Sequence, residues 1–237
     1  MSSPGEMFLF LTAMPPGQSS LFEKVAMPLA VAAASYLLGS LCFAIIFTRI
    51  IEGKDIRELG SKNAGTANVL RSAGPVPGAL TGVFDFAKGV LAVYIGYWLF
   101  ERVGFDRYSG GCFASLFALT GHLYPVFFRF RGGKGVMTMA GIVAVLNWRL
   151  FLVLMAFYMV MLIVVRIASV ASLAAFAALP FTNAVMCAMN EQPWLHSSVF
   201  FAFVSALIFF THRTNIQRLK NHQEKRFAIR TAGEQKK

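Results

Sequence analysis

The chain alternates between long apolar stretches and short polar connections. Seven apolar stretches are predicted as helices, at 25–49, 77–100, 110–128, 135–148, 150–165, 168–189 and 196–212. Most approach the roughly 20 residues that a helix needs to cross a bilayer. The fourth and fifth are shorter and only Trp148 and Arg149 separate them, so one bent hairpin or a re-entrant pair is the alternative. The pattern predicts an all-α, polytopic integral membrane protein with seven transmembrane helices.

These helices divide the chain into three parts. Residues 1–24 are predicted as an N-terminal extension, 25–212 as a single membrane domain and 213–237 as a basic tail. Positions 7–14 are apolar, but no basic region precedes them, so a secretory signal is not predicted. The sequence has no visible internal repeat, unlike a transporter built from inverted halves.

Composition supports a membrane protein. Of the 237 residues 57% are hydrophobic and 14% are charged, and the mean hydropathy is +0.61, whereas soluble domains contain about a quarter charged residues. The net charge of +11 would suggest nucleic acid in a soluble protein, but here it indicates contact with membrane lipid and no nucleic-acid partner. Cys42, Cys112 and Cys187 are isolated in apolar segments, so neither a zinc site nor a disulfide framework is predicted.

The basic residues predict an orientation. With the N-terminus outside, 17 of the 22 Lys and Arg residues lie on the inner side. This asymmetry predicts a cytoplasmic C-terminus by the positive-inside rule. The suggestive polar clusters all lie in the inner connections, so an active site at the cytoplasmic face is expected.

The connection after the first helix contains a glycine-rich turn. Its candidate phosphate-binding residues are Gly60, Ser61, Asn63, Gly65, Asn68 and, a few positions later, Arg71. Glycines let the backbone turn with its amides exposed, short polar side chains add hydrogen bonds, and the arginine fork suits phosphate. A polar turn with positive-inside charges is the alternative.

A second candidate lies immediately before the fourth helix. There, Gly132-Gly133-Lys134-Gly135 would place free helix amides and a lysine beside a bound phosphate. It is not a P-loop, because Gly135 stands where Ser or Thr would hold magnesium. A basic stop-transfer loop is the alternative.

Two weaker candidates follow along the chain. His212 and Asn215 are three residues apart and would share a helix face. Ser169 and Ser172 follow Arg166, where the fifth helix meets the sixth. These side chains would contact a hydroxyl or a phosphate; a solvated histidine and a simple helix cap are the alternatives.

One predicted membrane helix contains a charged pair. Small residues place Asp85 in a seam that packs against other helices, at positions Gly78, Gly82, Gly89, Ala92 and Gly96. Lys88 lies one turn further on, and His122 of the next helix lies at a comparable depth. Buried ionisable groups are costly, which indicates a function, and a structural ion pair that braces two helices is the alternative.

Several motifs occur in one order: Gly39-Ser40, Asp55-Ile56-Arg57, Gly60 through Arg71, Asp85-x-x-Lys88-Gly89, Gly121-His122 through Phe130, Gly132 through Val136, and His212-x-x-Asn215-Ile216-x-Arg218-Leu219. Over residues 30–220 the chain therefore resembles the bacterial acyl-phosphate:glycerol-3-phosphate acyltransferase family (PlsY). It departs from the family pattern in four places: Cys42 stands where proline is common, Lys62 stands where glycine is common, Thr66-Ala67 inverts the usual order, and Ala171 takes a place often held by serine.

The resemblance implies a seven-helix enzyme of the inner membrane with a cytoplasmic active site. It implies transfer of a fatty acyl group from acyl phosphate to sn-glycerol 3-phosphate, giving 1-acyl-glycerol 3-phosphate (lysophosphatidate) and phosphate, the first acylation of phospholipid synthesis. It further implies no cofactor, no metal and no protein catalytic base, and a partner in the enzyme that makes acyl phosphate.

By matching position, the resemblance assigns the polar catalytic site to Ser61, Arg71, Lys134, His212 and Asn215, and a serine-rich turn to Ser169 through Ser172. The chemistry agrees, because an acyl phosphate is an activated anhydride that needs a polarised carbonyl and a positioned acceptor. A small-molecule transporter is the alternative function.

Overall fold

The computed structural model describes residues 20–190 and 195–227, and all regular structure within these ranges is helical. The α-helices are α1 (Leu21–Gly39), α2 (Phe43–Glu52), α3 (Thr66–Ser72), α4 (Pro75–Arg102), α5 (Arg107–Leu123), α6 (Val136–Leu146), α7 (Trp148–Val165), α8 (Ala168–Met189), α9 (Leu195–Thr211) and α10 (Arg213–Lys220). Short 3-10 turns lie at Ile56–Glu58 and Val126–Phe128.

Five helical stretches of the described chain are long and apolar enough to cross a membrane. They are Leu21–Glu52, Pro75–Arg102, Arg107–Phe128, Trp148–Val165 and Ala168–Met189. A sixth is obtained if α9 and α10, which meet at a bend of 58°, count as one span. The remaining predicted segment is α6, whose 11 residues extend about 16 Å at 1.5 Å per residue. All seven predicted segments are therefore helical, and five or six have the length of a span.

The first predicted helix, 25–49, differs from the structure in two ways. It begins at Leu21, within the predicted extension, because Ser20 and Glu23 form a capping box. It is also interrupted between Gly39 and Phe43, so the prediction of one unbroken helix is wrong. The rest of the predicted extension, residues 1–19, and the tail beyond residue 227 lie outside the described residues.

The interruption is stabilised by a residue far away in the sequence. A helix break leaves carbonyl oxygens without partners, and Lys88 Nζ of α4 binds those of Gly39 and Leu41 at 3.0 and 2.8 Å. The local sequence contains no proline at this position. A buried cation from another helix therefore replaces the missing backbone donors.

Close helix crossings hold the bundle together. A Cβ atom would overlap a backbone carbonyl of the facing helix at Gly39, Gly89, Gly96 and Gly141. Gly89 and Gly141 bring α4 against α6, and Gly96 brings α4 against α5. The predicted seam of small residues along α4 is thus confirmed, and α4 lies at the centre of the packing. By contrast, α7 exposes most of its apolar side chains, which is expected of a surface facing lipid.

Candidate active site

The connections predicted on the inner side meet at one end of the bundle. They surround a cavity of about 580 Å³. All five residues predicted to be catalytic line it: Ser61, Arg71, Lys134, His212 and Asn215. These side chains come from three separate connections of the chain, so their convergence is a property of the fold.

Asn68 organises the glycine-rich turn. Its Oδ1 accepts the backbone N–H of Ser61 at 2.9 Å, and its Nδ2 donates to the carbonyls of Leu59 and Asn63, both at 3.0 Å. Asn68 is 2% exposed, so its amide serves mainly to hold the loop in shape. Gly60 is in the left-handed region at φ +58°, as its prediction as a turn glycine requires.

Lys62 departs from the family pattern at a strained position. Its φ is +60°, in the region that glycine adopts without penalty. A left-handed conformation costs an L-residue roughly 1–2 kcal/mol. The glycine that the resemblance leads us to expect here would adopt this conformation without strain, while the exposed Lys62 side chain adds positive charge to the lining of the cavity.

Arg71 faces the cavity from the last turn of α3. Its side chain is half-buried, and Nη2 donates to Asn68 Oδ1 at 3.4 Å. Its Nε has no hydrogen-bond partner within the described part of the chain. Burial lowers the pKa of Arg71 from its ordinary value, but an arginine stays protonated. The guanidinium therefore keeps a donor available for a ligand.

The second loop differs from the prediction in one respect. The N–H groups of Gly132 and Gly133 are not free, because they donate to the carbonyls of Leu123 and His122, both at 3.2 Å. Neither glycine lines the cavity. The prediction that their amides face a phosphate is wrong, since the loop uses them to pack on the end of α5.

Lys134 and Gly135 lie at the cavity instead. Gly135 precedes α6 at φ +83°, so the helix N-terminus follows Lys134 as predicted. Lys134 Nζ donates to Asn215 Oδ1. Burial is the main reason that the pKa of Lys134 is lowered to about 8, and Arg71 and Arg218 add to the effect. Lys134 is thus a desolvated cation beside the first amides of a helix, an arrangement that favours anions.

His212 occupies the bend between α9 and α10. It is 2% exposed, and its Nδ1 lies 2.8 Å from the carbonyl oxygen of Ile208. Because a carbonyl only accepts, Nδ1 carries the proton and Nε2 has the lone pair. Burial, followed by the charge of Lys134, lowers the pKa of His212 to about 4. The imidazole is therefore neutral near pH 7.

The sequence reasoning missed Glu224. This residue follows α10, and its carboxylate returns to the cavity, where it accepts bonds from Asn215 Nδ2, from Ser169 Oγ at 2.9 Å and from Arg218 Nε at 2.7 Å. Burial alone would raise the pKa of Glu224, but the three hydrogen bonds together lower it by more, so the pKa is below its ordinary value. The sequence signal that could have identified Glu224 is its charge, because it is the one acidic residue between α10 and residue 227 in a basic segment.

The predicted serine pair also lies at the cavity. Ser169 binds Glu224, and Ser172 Oγ donates to the carbonyl of Ala168 at 2.9 Å. Beyond Ser172 a second cavity of about 80 Å³ opens between α6, α7 and α8. Its lining is almost entirely apolar, and it shares Val136, Met137, Tyr158 and Ser172 with the first cavity. A polar site is thus joined to an apolar groove.

The intramembrane residues lie at the inner end of the larger cavity. Asp85 and His122 line it, and Lys88 lies behind them. The predicted ion pair is present, with Lys88 Nζ 2.8 Å from Asp85 Oδ1. Among the described residues, no group of three or more His, Cys, Asp or Glu side chains is arranged to hold a metal ion.

The fold and the cavity define a helical membrane protein with a cationic site at one end of its bundle, joined to an apolar groove. A family profile described as Glycerol-3-phosphate acyltransferase matches residues 29–222. The chain belongs to this family, which confirms the resemblance inferred from the motifs.

Curated relatives and solved structures agree. The glycerol-3-phosphate acyltransferase of Ralstonia pickettii (strain 12J) is 39% identical over 206 residues, covering 87% of this chain and 94% of the relative. That of Pelagibacter ubique is 38% identical, covering 85% and 98%. The crystal structure of the integral membrane enzyme PlsY in its glycerol 3-phosphate form matches with a TM-score of 0.75 and 32% identity, covering 85% and 96%. Its lysophosphatidic acid form matches with a TM-score of 0.71 and 30% identity, covering 85% and 95%.

Proposed function

We propose that this enzyme transfers a fatty acyl group from acyl phosphate to sn-glycerol 3-phosphate, releasing 1-acyl-glycerol 3-phosphate and phosphate. Family membership supports the acceptor and the product, since the similar PlsY structures have glycerol 3-phosphate and lysophosphatidic acid forms. The main structural observation is the cavity itself. Arg71, Lys134 and Arg218 line it, and an apolar groove adjoins it. Two phosphates and one acyl chain are the ligands that this combination suits.

The reaction requires little chemistry from the protein. The acceptor hydroxyl attacks the carbonyl carbon of the acyl phosphate, the bond to the bridging oxygen breaks, and the hydroxyl proton passes to a phosphate oxygen of the donor. Arg71 and Lys134 neutralise the phosphates and stabilise the negative charge that develops on the leaving group. Because the leaving group is already good, positioning and electrostatics are sufficient.

The remaining catalytic residues orient the acceptor. His212 is neutral and offers Nε2 as an acceptor, which suits a hydrogen bond from the glycerol hydroxyl. Ser61 adds a hydroxyl to the lining of the cavity, and Asn215, whose amide binds Lys134 and Glu224, holds these two charged groups beside the acceptor. Gly60, Asn63 and Gly65 also line the cavity, and Ser169 lies there one helical turn before Ser172, which borders the apolar groove as well.

We also propose seven membrane crossings, with the N-terminus outside and the site facing the cytoplasm of a bacterial inner membrane. Seven alternating traverses, with α6 as a short one, bring the connections after α2, α5, α7 and α9 to one side. Those connections supply the lining of the cavity. The excess of Lys and Arg in them supports a cytoplasmic location. Single cysteines replacing Lys54 and Arg149 should then label from opposite sides of sealed vesicles.

Purified protein, acyl phosphate and glycerol 3-phosphate provide the test. We expect release of phosphate and formation of lysophosphatidate in equal amounts, both dependent on glycerol 3-phosphate. Transfer from acyl-CoA but not from acyl phosphate would contradict the proposed donor. Glycerol 3-phosphate uptake into proteoliposomes without acylation would instead support a transporter.

A further inference from the structure

Three buried ionisable residues lie one behind another at the deep end of the cavity, away from its opening. Lys88, Asp85 and His122 are 1, 2 and 3% exposed. Asp85 Oδ1 lies 2.8 Å from Lys88 Nζ and 3.6 Å from His122 Nδ1. Lys88 also binds the two carbonyls at the break in the first span. The row therefore starts at a structural break and ends at an imidazole that faces the active-site cavity.

The other side of His122 supports the loop that contains Lys134. The backbone carbonyl of His122 accepts the N–H of Gly133 at 3.2 Å. A Cβ atom at Gly133 would overlap both His122 Nε2 and the carbonyl oxygen of Ala64. The imidazole edge thus fills the space directly under Gly133, at the point where the two glycine-containing loops meet.

We propose that Asp85 is a positioning residue that acts through His122. The Asp85 carboxylate lies 3.6 Å from His122 Nδ1, which is too far for a hydrogen bond, and His122 Nδ1 has no hydrogen-bond partner among the described residues, so the carboxylate orients the imidazole electrostatically. The imidazole in turn sets the position of the loop and hence of Lys134 in the cavity. This inference rests on the proposed function, because its readout is acyl transfer.

The geometry separates this role from simple bracing of helices. Lys88 already ties α4 to the first span and does not line the cavity, whereas Asp85 and His122 do. A brace would require only the Lys88 contacts. His122 contacts both Asp85 and the loop that contains Gly133 and Lys134, so it connects Asp85 to the active site.

The first test compares Asp85→Asn with the wild type in the phosphate-release assay, normalised to folded protein measured by size exclusion and thermal unfolding. A displacement of about 1 Å in a positioned group can cost on the order of 100-fold. We expect kcat/KM to fall by about 10- to 100-fold. Asn183→Ala is the matched control, since Asn183 is a buried membrane amide that binds Ser197 and Ser198 away from the cavity, and its kcat/KM should stay within about twofold of the wild type.

Asp85→Asn leaves Lys88 without its counter-ion, so His122→Gln is the second variant, because it keeps that ion pair. A double-mutant cycle with Gly133→Ala then tests the path. If Asp85 and His122 act through the loop, either substitution should change kcat/KM by less than about threefold once Gly133→Ala is present, because contacting residues are not additive.

Unchanged kcat/KM in the folded variants would overturn the proposal, and so would effects that simply multiply with that of Gly133→Ala. If Asp85→Asn yields no folded protein, His122→Gln decides by the same two criteria. An inactive wild type in the same assay would contradict the proposed function. An active wild type with unaffected variants would contradict only the role proposed for Asp85.

Discussion

The lowered pKa of Lys134 predicts a pH limit on catalysis. Lys134 is charged below a pKa of about 8 and neutral above it. Since only the charged ammonium attracts a phosphate strongly, kcat/KM should fall as the pH rises through about 8. Two other ionisations lie below this pH: His212 has a pKa of about 4, and the second ionisation of a phosphate monoester lies near pH 6.

The size of the fall follows from the contact that is lost. A hydrogen bond to a charged group contributes about 1.5–3 kcal/mol, which corresponds to roughly 10- to 150-fold in kcat/KM. Below pH 8, Lys134→Ala should lose at least this much relative to the wild type, because it also removes the partner of Asn215 Oδ1. Above pH 8 the difference between the two should narrow, because Lys134 of the wild type is then neutral. Lys134→Arg keeps a positive charge at all accessible pH values, so the kcat/KM of this variant should not fall near pH 8 as that of the wild type does.

Phosphate release from acyl phosphate, measured from well below to well above the pKa of Lys134, is the assay. A blank without enzyme corrects for alkaline hydrolysis of the donor, and thermal unfolding at each pH confirms that the protein stays folded. The reasoning is refuted if Lys134→Arg declines at the same pH as the wild type. Near-normal turnover of Lys134→Ala at low substrate concentration would contradict the assignment of Lys134 to the active site.

Four further predictions concern the site and the loop beside it. Arg71→Lys should raise the KM for glycerol 3-phosphate by more than about tenfold, because the forked contact is lost. Arg57→Lys should raise that KM less than Arg71→Lys does and should lower the melting temperature, because the Arg57 fork binds Asp55 and the Phe128 carbonyl; a larger rise in KM for Arg57→Lys than for Arg71→Lys would contradict the placement of the phosphate. Glu224→Gln should lower kcat/KM about tenfold or more, since a charged acceptor for Asn215 and Arg218 is lost, and equal kinetics would show that the carboxylate is not needed. A chelator should change activity less than about twofold, as the described residues provide no metal-ligand cluster; inhibition reversed by magnesium would contradict this.

Much of the helical fold was predictable because apolar length determines membrane helices. The helix at 168–189 has the predicted bounds, and Gly89 and Gly96 lie in the predicted packing seam. The interruption after Gly39 was not predictable from nearby residues. It depends on Lys88, which is distant in sequence and replaces the missing backbone donors.

The candidate site was predictable where chemistry and local sequence coincide. Arg71, Lys134 and His212 were identified from residue type and spacing, and the fold places them at one cavity. The amides of Gly132 and Gly133 were assigned wrongly, because a glycine pattern does not reveal which carbonyls the loop will meet. Glu224 was missed because its place depends on how the chain folds back after α10.

The return of the C-terminal segment has a consequence for biosynthesis. Ser61 and Arg71 leave the ribosome about 150 residues before Asn215 and Glu224 do. The backbone N–H of Phe227 also donates to the carbonyl of Arg166 at 2.7 Å, so the segment closes over the loop between α7 and α8. A nascent chain therefore inserts the preceding helices with an incomplete site and gains activity only when the segment that contains Asn215 and Glu224 has docked.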